Sequence, residues 1–177
     1  MRRLTYAIVV AGAVLWADTS MAIIICDPSI TDCTPPPPTT SSINCDGAAL
    51  SQGVIWPPDH KMVPETIVGV TTDPSLMPFG ITIMITGIYQ DEPVNGLGSG
   101  NTAPDGMIVN SSTTALVRAE RAGPGTGRIY YITFTATDAS GAQCGPQTLQ
   151  AYVPHDQGQG YAPTDTGVQY DSTRVPP

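Results

Sequence analysis

Between Ala49 and Val153 the chain is a series of short apolar runs with β-type alternation, each closed by a cluster of Gly, Pro, Asn or Asp. Ile81-Thr-Ile-Met-Ile-Thr-Gly-Ile puts Ile81, Ile83 and Ile85 on one face at period two. Arg128-Ile-Tyr-Tyr-Ile-Thr-Phe-Thr-Ala-Thr does the same with Tyr130, Ile132 and Phe134. Thr66-Ile-Val-Gly-Val-Thr-Thr is β-branched, and no window carries a helical period. Seven strands are predicted: A (Ala49–Ile55), B (Val63–Thr72), C (Ile81–Tyr89), D (Met107–Asn110), E (Thr114–Glu120), F (Arg128–Thr137) and G (Gln147–Val153). Their number and spacing predict an all-β, immunoglobulin-like antiparallel sandwich over residues 45–160. Asp138-Ala-Ser-Gly-Ala is the expected F–G hairpin turn, with Gly141 free to take a positive φ.

Strands running up and down bring the start of A and the F–G turn to one pole. Cys45 precedes A and Cys144 follows that turn, so a Cys45–Cys144 disulfide is expected, with Cys26–Cys33 as the second pair. The CxxC pairs of a structural zinc site are absent. The opposite pole collects four polar loops: WPPDHK (56–61), DEPVNGLGSGNTAPD (91–105), RAERAGPGTGR (118–128) and VPHDQG (153–158).

Outside the sandwich the patterning changes. Arg2 and Arg3 precede an apolar run from Leu4 to Trp16, and Ser20-Met-Ala22 has small residues at the cleavage spacing, so residues 1–22 read as a secretory signal peptide. Residues 23–44 form a leader with four consecutive prolines, a stiff spacer or a linker without a partner. Residues 161–177 lack an apolar pattern and are expected to be a flexible tail. Loss of Arg2, Arg3 and Asp18 with the signal takes the formal charge from −8 to −9. So acidic a chain is a poor nucleic-acid binder and has no polybasic patch for anionic lipid. No membrane insertion is expected after cleavage, and the location expected is secreted or at the cell surface.

The polar loops supply candidate chemistry. Asp91, Asp105, Glu120 and Asp156 are oxygen ligands of the kind calcium takes, although their spacing matches no EF-hand. The competing and preferred expectation is that Arg118, Arg121 and Arg128 pair with these carboxylates and pin the loops, above all in the Glu120-Arg121 run. His60 and His155, each beside an aspartate, form a thin transition-metal pair whose ordinary role is bonding loop backbone. Trp56, followed by two prolines, is expected to cover the end of the sandwich; exposed, it becomes a platform for a sugar ring. No GxSxG elbow or HExxH helix is present, and no catalytic residue is assigned.

The motifs Val54-Ile-Trp-Pro-Pro-Asp-His-Lys-Met-Val-Pro, Asp91-Glu-Pro-Val-Asn-Gly, Thr102-Ala-Pro-Asp, Val117-Arg-Ala-Glu-Arg, Ala136-Thr-Asp-Ala-Ser-Gly and Val153-Pro-His-Asp-Gln-Gly run through nearly all of 54–158. In this combination the chain resembles secreted bacterial immunoglobulin-like modules of the HYR type, found in surface and adhesive proteins. The resemblance implies the sandwich fold, an extracellular setting and no catalytic residue. Two positions depart from the pattern. The C–D loop reads Gly96-Leu-Gly-Ser-Gly-Asn where relatives have more Asp, and Gly106 stands where relatives place an aromatic. The function expected is a non-enzymatic module for adhesion, surface assembly or protein interaction, with an extracellular protein, a glycan or another copy as partner. A carbohydrate-binding module and a calcium-stabilised extracellular domain are the alternatives. No cofactor is required, and calcium is the one candidate.

Overall fold

A computed structural model describes residues 42–96, 99–109, 113–158 and 163–175. The signal peptide, most of the leader and the Cys26–Cys33 pair fall outside the described residues. The strands are β1 (Ile43–Asn44), β2 (Ala49–Leu50), β3 (Met62–Val68), β4 (Thr71–Thr72), β5 (Ile81–Gln90), β6 (Gly106–Val109), β7 (Thr114–Arg118), β8 (Gly127–Asp138), β9 (Gln143–Pro154) and β10 (Tyr170–Asp171). A 3-10 turn, Met77–Phe79, leads into β5. No helix among the described residues is long and apolar enough to cross a membrane.

The chain folds as an antiparallel β-sandwich. One sheet runs β2-β3-β7-β6, the other β10-β5-β8-β9, and β1 pairs with β4 in a small third sheet. In the lettering used above these are A-B-E-D and C-F-G, the order of a constant-type immunoglobulin sandwich, with β10 added beside C. Ile67, Ala115 and Val117 of the first sheet meet Ile85, Ile88, Ile132, Phe134, Ala151 and Val153 of the second in one buried core. The alternation that marks β5 in the sequence is interrupted by a bulge between Ile85 and Gly87. The extra residue reverses the parity, so that Ile88 and Gln90 turn inward and Tyr89 outward.

Two connections hold one end of the sandwich. Cys45 and Cys144 form the disulfide expected from the strand order, with Cα atoms 6.0 Å apart. At the same end Asp138 accepts hydrogen bonds from Ser42, Thr72 and Ser140 and from the Ala142 amide, and Gly141 takes a φ of 85° in the hairpin turn. Strand A is shorter than predicted. After β2 the chain leaves the first sheet at Ser51–Gly53, and Val54 bridges in parallel to Tyr152 of β9. Glu65 steers this transfer from an inward position on β3. Fully buried, its carboxylate accepts from Ser51 Oγ and from the Gln52 and Gly53 amides at 3.0–3.2 Å.

The C-terminal segment corrects the expectation of a flexible tail. Residues 163–175 cross the outer face of the second sheet as a strap. The Thr164 amide donates to Thr126 Oγ1, Thr166 Oγ1 to the Asp91 carbonyl, and Tyr170–Asp171 pair with Gln90 and Tyr89. Ser172 then ties the two sheets together. Its amide donates to the Ile88 carbonyl, and its own carbonyl accepts from the Asp105 and Gly106 amides. The strap holds mainly through its backbone, which is why an apolar pattern does not announce it.

Candidate functional site

The site is the pole where the four polar loops meet. Its centre is Arg128, the second residue of β8, on the inward face shared with Tyr130 and Ile132. Its side chain is 0% exposed. Four bonds replace its lost water. Nε donates to Glu92 Oε2 at 2.9 Å, Nη1 to Asp105 Oδ2 at 2.8 Å and to the Tyr130 hydroxyl at 3.0 Å, and Nη2 to Glu120 Oε1 at 3.5 Å. Glu92 and Asp105 come from the β5–β6 loop and Glu120 from the β7–β8 loop, so one guanidinium gathers three carboxylates. Burial alone opposes its charge, but Tyr130, Asp105 and Glu92 outweigh burial and hold its pKa above the ordinary arginine value. Burial pushes the Tyr130 phenol upward, and the Tyr130 hydroxyl donates onward to the Arg118 carbonyl.

A second layer surrounds this one. Arg118 lies 3.3 Å from Asp105 Oδ1 and donates to the His60 and Pro104 carbonyls. Glu120 also accepts from Thr102 Oγ1 and pairs with His60 Nδ1 at 3.0 Å. His60 has a φ of 64° and packs over Gly100, where a Cβ would come within 2.5 Å of the ring. Gln90 Nε2 donates to Asp105 Oδ2 and to the Glu92 carbonyl. The Ala122 amide donates to Glu92 Oε2, closing the β7–β8 loop onto the β5–β6 loop.

The predicted convergence of the loops is therefore present, and so is the pairing of arginine with carboxylate at Arg118 and Arg128. Arg121 is the exception. It turns away from Glu120 and donates to the His155 and Ala122 carbonyls, holding the end of β9 instead.

The four expected calcium ligands have three different kinds of partner. Asp105 and Glu120 face Arg128. Asp91 Oδ1 accepts from the Ile129 amide at 2.8 Å, and burial raises its pKa, with Glu92 and Asp165 adding to the rise. Asp156 is exposed and accepts from the Gly158 amide in the turn after β9. Among the described residues no group of three or more His, Cys, Asp or Glu is placed to hold a metal ion. The two histidines share no partner: His155 Nε2 bonds the Gly123 carbonyl, and His60 bonds Glu120.

Trp56 is 39% exposed and Val54 57%, whereas Ile55 between them is buried in the core at 1%. Glu65, Gln90 and Ser172 are absent from the expected polar network. Glu65 carried a readable signal: it sits between Val63 and Ile67 in the parity of inward residues, where a charge needs a built partner.

No family model, curated protein or solved structure matches this chain. The functional reading rests on the chain's own geometry.

Proposed function

We propose that this chain is an exported, non-enzymatic immunoglobulin-like module of the HYR type, acting in adhesion, surface assembly or protein interaction. The observation that carries the reading is the state of the polar pole. Its chemically capable groups are committed to one another: Arg128, Asp105 and Glu120 have side chains at 0% exposure, and Glu92 has 11%. A catalytic acid or base must reach a proton on its substrate, and these groups are turned inward. They shape the loops, which leaves the sheet surfaces for partners. The Cys45–Cys144 disulfide is compatible with an oxidising, extracellular compartment.

The test is where and in what form the chain accumulates. Fractionation of the producing cell, with mass spectrometry and thiol counting, is expected to find it outside the cytoplasm, cut after Ala22 and oxidised at Cys45 and Cys144. An uncut chain, reduced at both cysteines and held in the cytoplasm, would overturn the reading.

One observation favours a second reading, carbohydrate binding. Trp56 is exposed near Val54, and the backbone just before it, at Gly53–Ile55, bridges to Tyr152. Once the signal peptide is removed, Trp56 is the chain's sole tryptophan. Titration with soluble cellulose and chitin oligosaccharides, followed by its fluorescence, tests this directly. A saturable shift that Trp56→Ala abolishes supports it; a flat trace against both removes it.

A further inference from the structure

Among the described residues the strap leaves part of β5 uncovered. β5 runs for ten residues, yet on the side away from β8 only its last three have partners. Tyr89 and Gln90 pair with β10, and the Ile88 carbonyl accepts from Ser172. Along Ile81–Gly87 no described residue continues the ladder. The remaining edges are blunted: β2 has two residues and β6 four, and β9 is broken by Gly145-Pro146 and bridged by Val54. Short strands, proline and covering segments are the usual protections of a sheet edge, and Ile81–Gly87 has none of them. Its one irregularity, the bulge at Thr86, lies at the end beside the strap.

The chemistry of this edge fits its own copy. No charged residue occurs between Asp73 and Asp91, in a chain of net charge −8. Two copies approaching elsewhere bring acidic loops together; here they meet no like charge. Met77, Phe79 and Met84, at 58%, 74% and 52% exposure, add apolar surface along and just before the strand. The strap also sets the register. With Ile88–Gln90 occupied in both copies, the free segment is Ile81–Gly87, whose midpoint is Met84. Antiparallel pairing about that midpoint sets Met84 against Met84, Thr82 against Thr86, Ile83 against Ile85, and Ile81 against Gly87. In the central three of these pairings Met meets Met, Thr meets Thr and Ile meets Ile, the matching that stabilises neighbouring strands.

We propose that β5 pairs antiparallel with β5 of a second copy, about a two-fold axis at Met84, joining two four-stranded sheets into one of eight. This deepens the interaction-module reading by naming one partner, and rests on it only for the setting. The mass of the disulfide-bonded chain, measured by light scattering over about two decades of concentration, is expected to rise to that of two chains. Met84→Lys places like charges opposite each other and should weaken the dimer at least tenfold without loss of the folded signal. Met84→Cys should cross-link to itself on mild oxidation, whereas Thr82→Cys should cross-link only when mixed with Thr86→Cys. A chain monomeric throughout overturns the proposal, as does a dimer indifferent to Met84→Lys or one that Met84→Cys fails to cross-link. None of these outcomes alters whether the chain is exported, so the two readings fail separately.

Discussion

Arg128 occupies a position that the sheet assigns to the core, in line with Tyr130, Ile132 and Phe134. Its charge is tolerated because three carboxylates came inward with it. Breaking such a group by removing one member leaves uncompensated charge in a site closed to water. Arg128→Met is therefore expected to destabilise the fold by about 3–5 kcal/mol in urea denaturation, and to loosen the 91–105 and 119–126 loops together. Arg128→Lys should recover only part of this, since an ammonium cannot fork to Glu92, Asp105 and Glu120 at once. A loss below about 1 kcal/mol for the methionine variant would mean the clasp is dispensable. The same pairing predicts indifference to calcium: the thermal midpoint should not move between added calcium and chelator, because Asp105 and Glu120 already hold a cation of their own. A clear rise with calcium would return those carboxylates to the role of ligands. Asp138, at the other pole, predicts acid sensitivity. Ser140, Ser42 and Thr72 hold its carboxyl below the usual aspartate range. A depressed folded-state pKa gives stability that is present above the unfolded value, about pH 4, and is lost as pH falls further. The chain should thus weaken in acid, and Asp138→Asn should be less stable at neutral pH with a flatter profile below about pH 4.

Elements differ in how openly the sequence declares them. β5, β8 and β9 are plain because they alternate, and alternation is what burial on one face of a sheet requires. Their order follows from the number and spacing of runs, and with it the Cys45–Cys144 pairing and the meeting of four loops. What alternation cannot report is a segment that binds by its backbone. The strap has Thr, Asp, Gly and Ser where a strand would have Ile and Val, and it succeeds by bonding the ends of β5 and β6. One residue did foreshadow it. Gly106, where the resemblance leads one to expect an aromatic, has no room for a side chain: a Cβ there would stand 2.8 Å from that of Ser172 and 2.9 Å from Ile88 Cγ2. Gly106→Ala is accordingly expected to push the strap away from β6, and a chain ending at residue 162 to lose about 2–4 kcal/mol with the strap's bonds. Hydrogen exchange at Ile129 and Tyr131, buried on the outer face of the second sheet, should quicken in both. If the alanine costs as much in the shortened chain as in the full one, Ile88 and not the strap is what the glycine serves. Which carboxylate meets which arginine was equally closed to sequence reading. Glu120 and Arg121 are adjacent in the chain, yet geometry sends the first to Arg128 and the second to a carbonyl.

For the molecule as a whole, the distribution of charge and the staple at one end belong to a single design. Arg118 and Arg128 pair with carboxylates at one pole and Asp138 is held by hydroxyls at the other, while the sheet faces between them carry mainly Thr, Gln, Tyr and Met. Stability then depends on a core of modest size and on two closures, the Arg128 clasp at one pole and the Cys45–Cys144 bridge at the other. The bridge joins residues 99 apart, so it confines most of the domain in its unfolded state. In the chain-entropy account a loop of that length contributes about 4–5 kcal/mol, a large share of what a domain of this size has. Replacing both cysteines by alanine is expected to lower the urea midpoint by a corresponding amount. It should also raise the slope of the transition, because the unfolded chain is then free to expose more surface. The two effects separate the mechanisms. A fall in midpoint with an unchanged slope would place the bridge's contribution in the native contacts of Ile43, Cys45 and Ala142 rather than in the unfolded state. An unchanged midpoint would show that Asp138 and its hydroxyl partners hold that pole without the bridge.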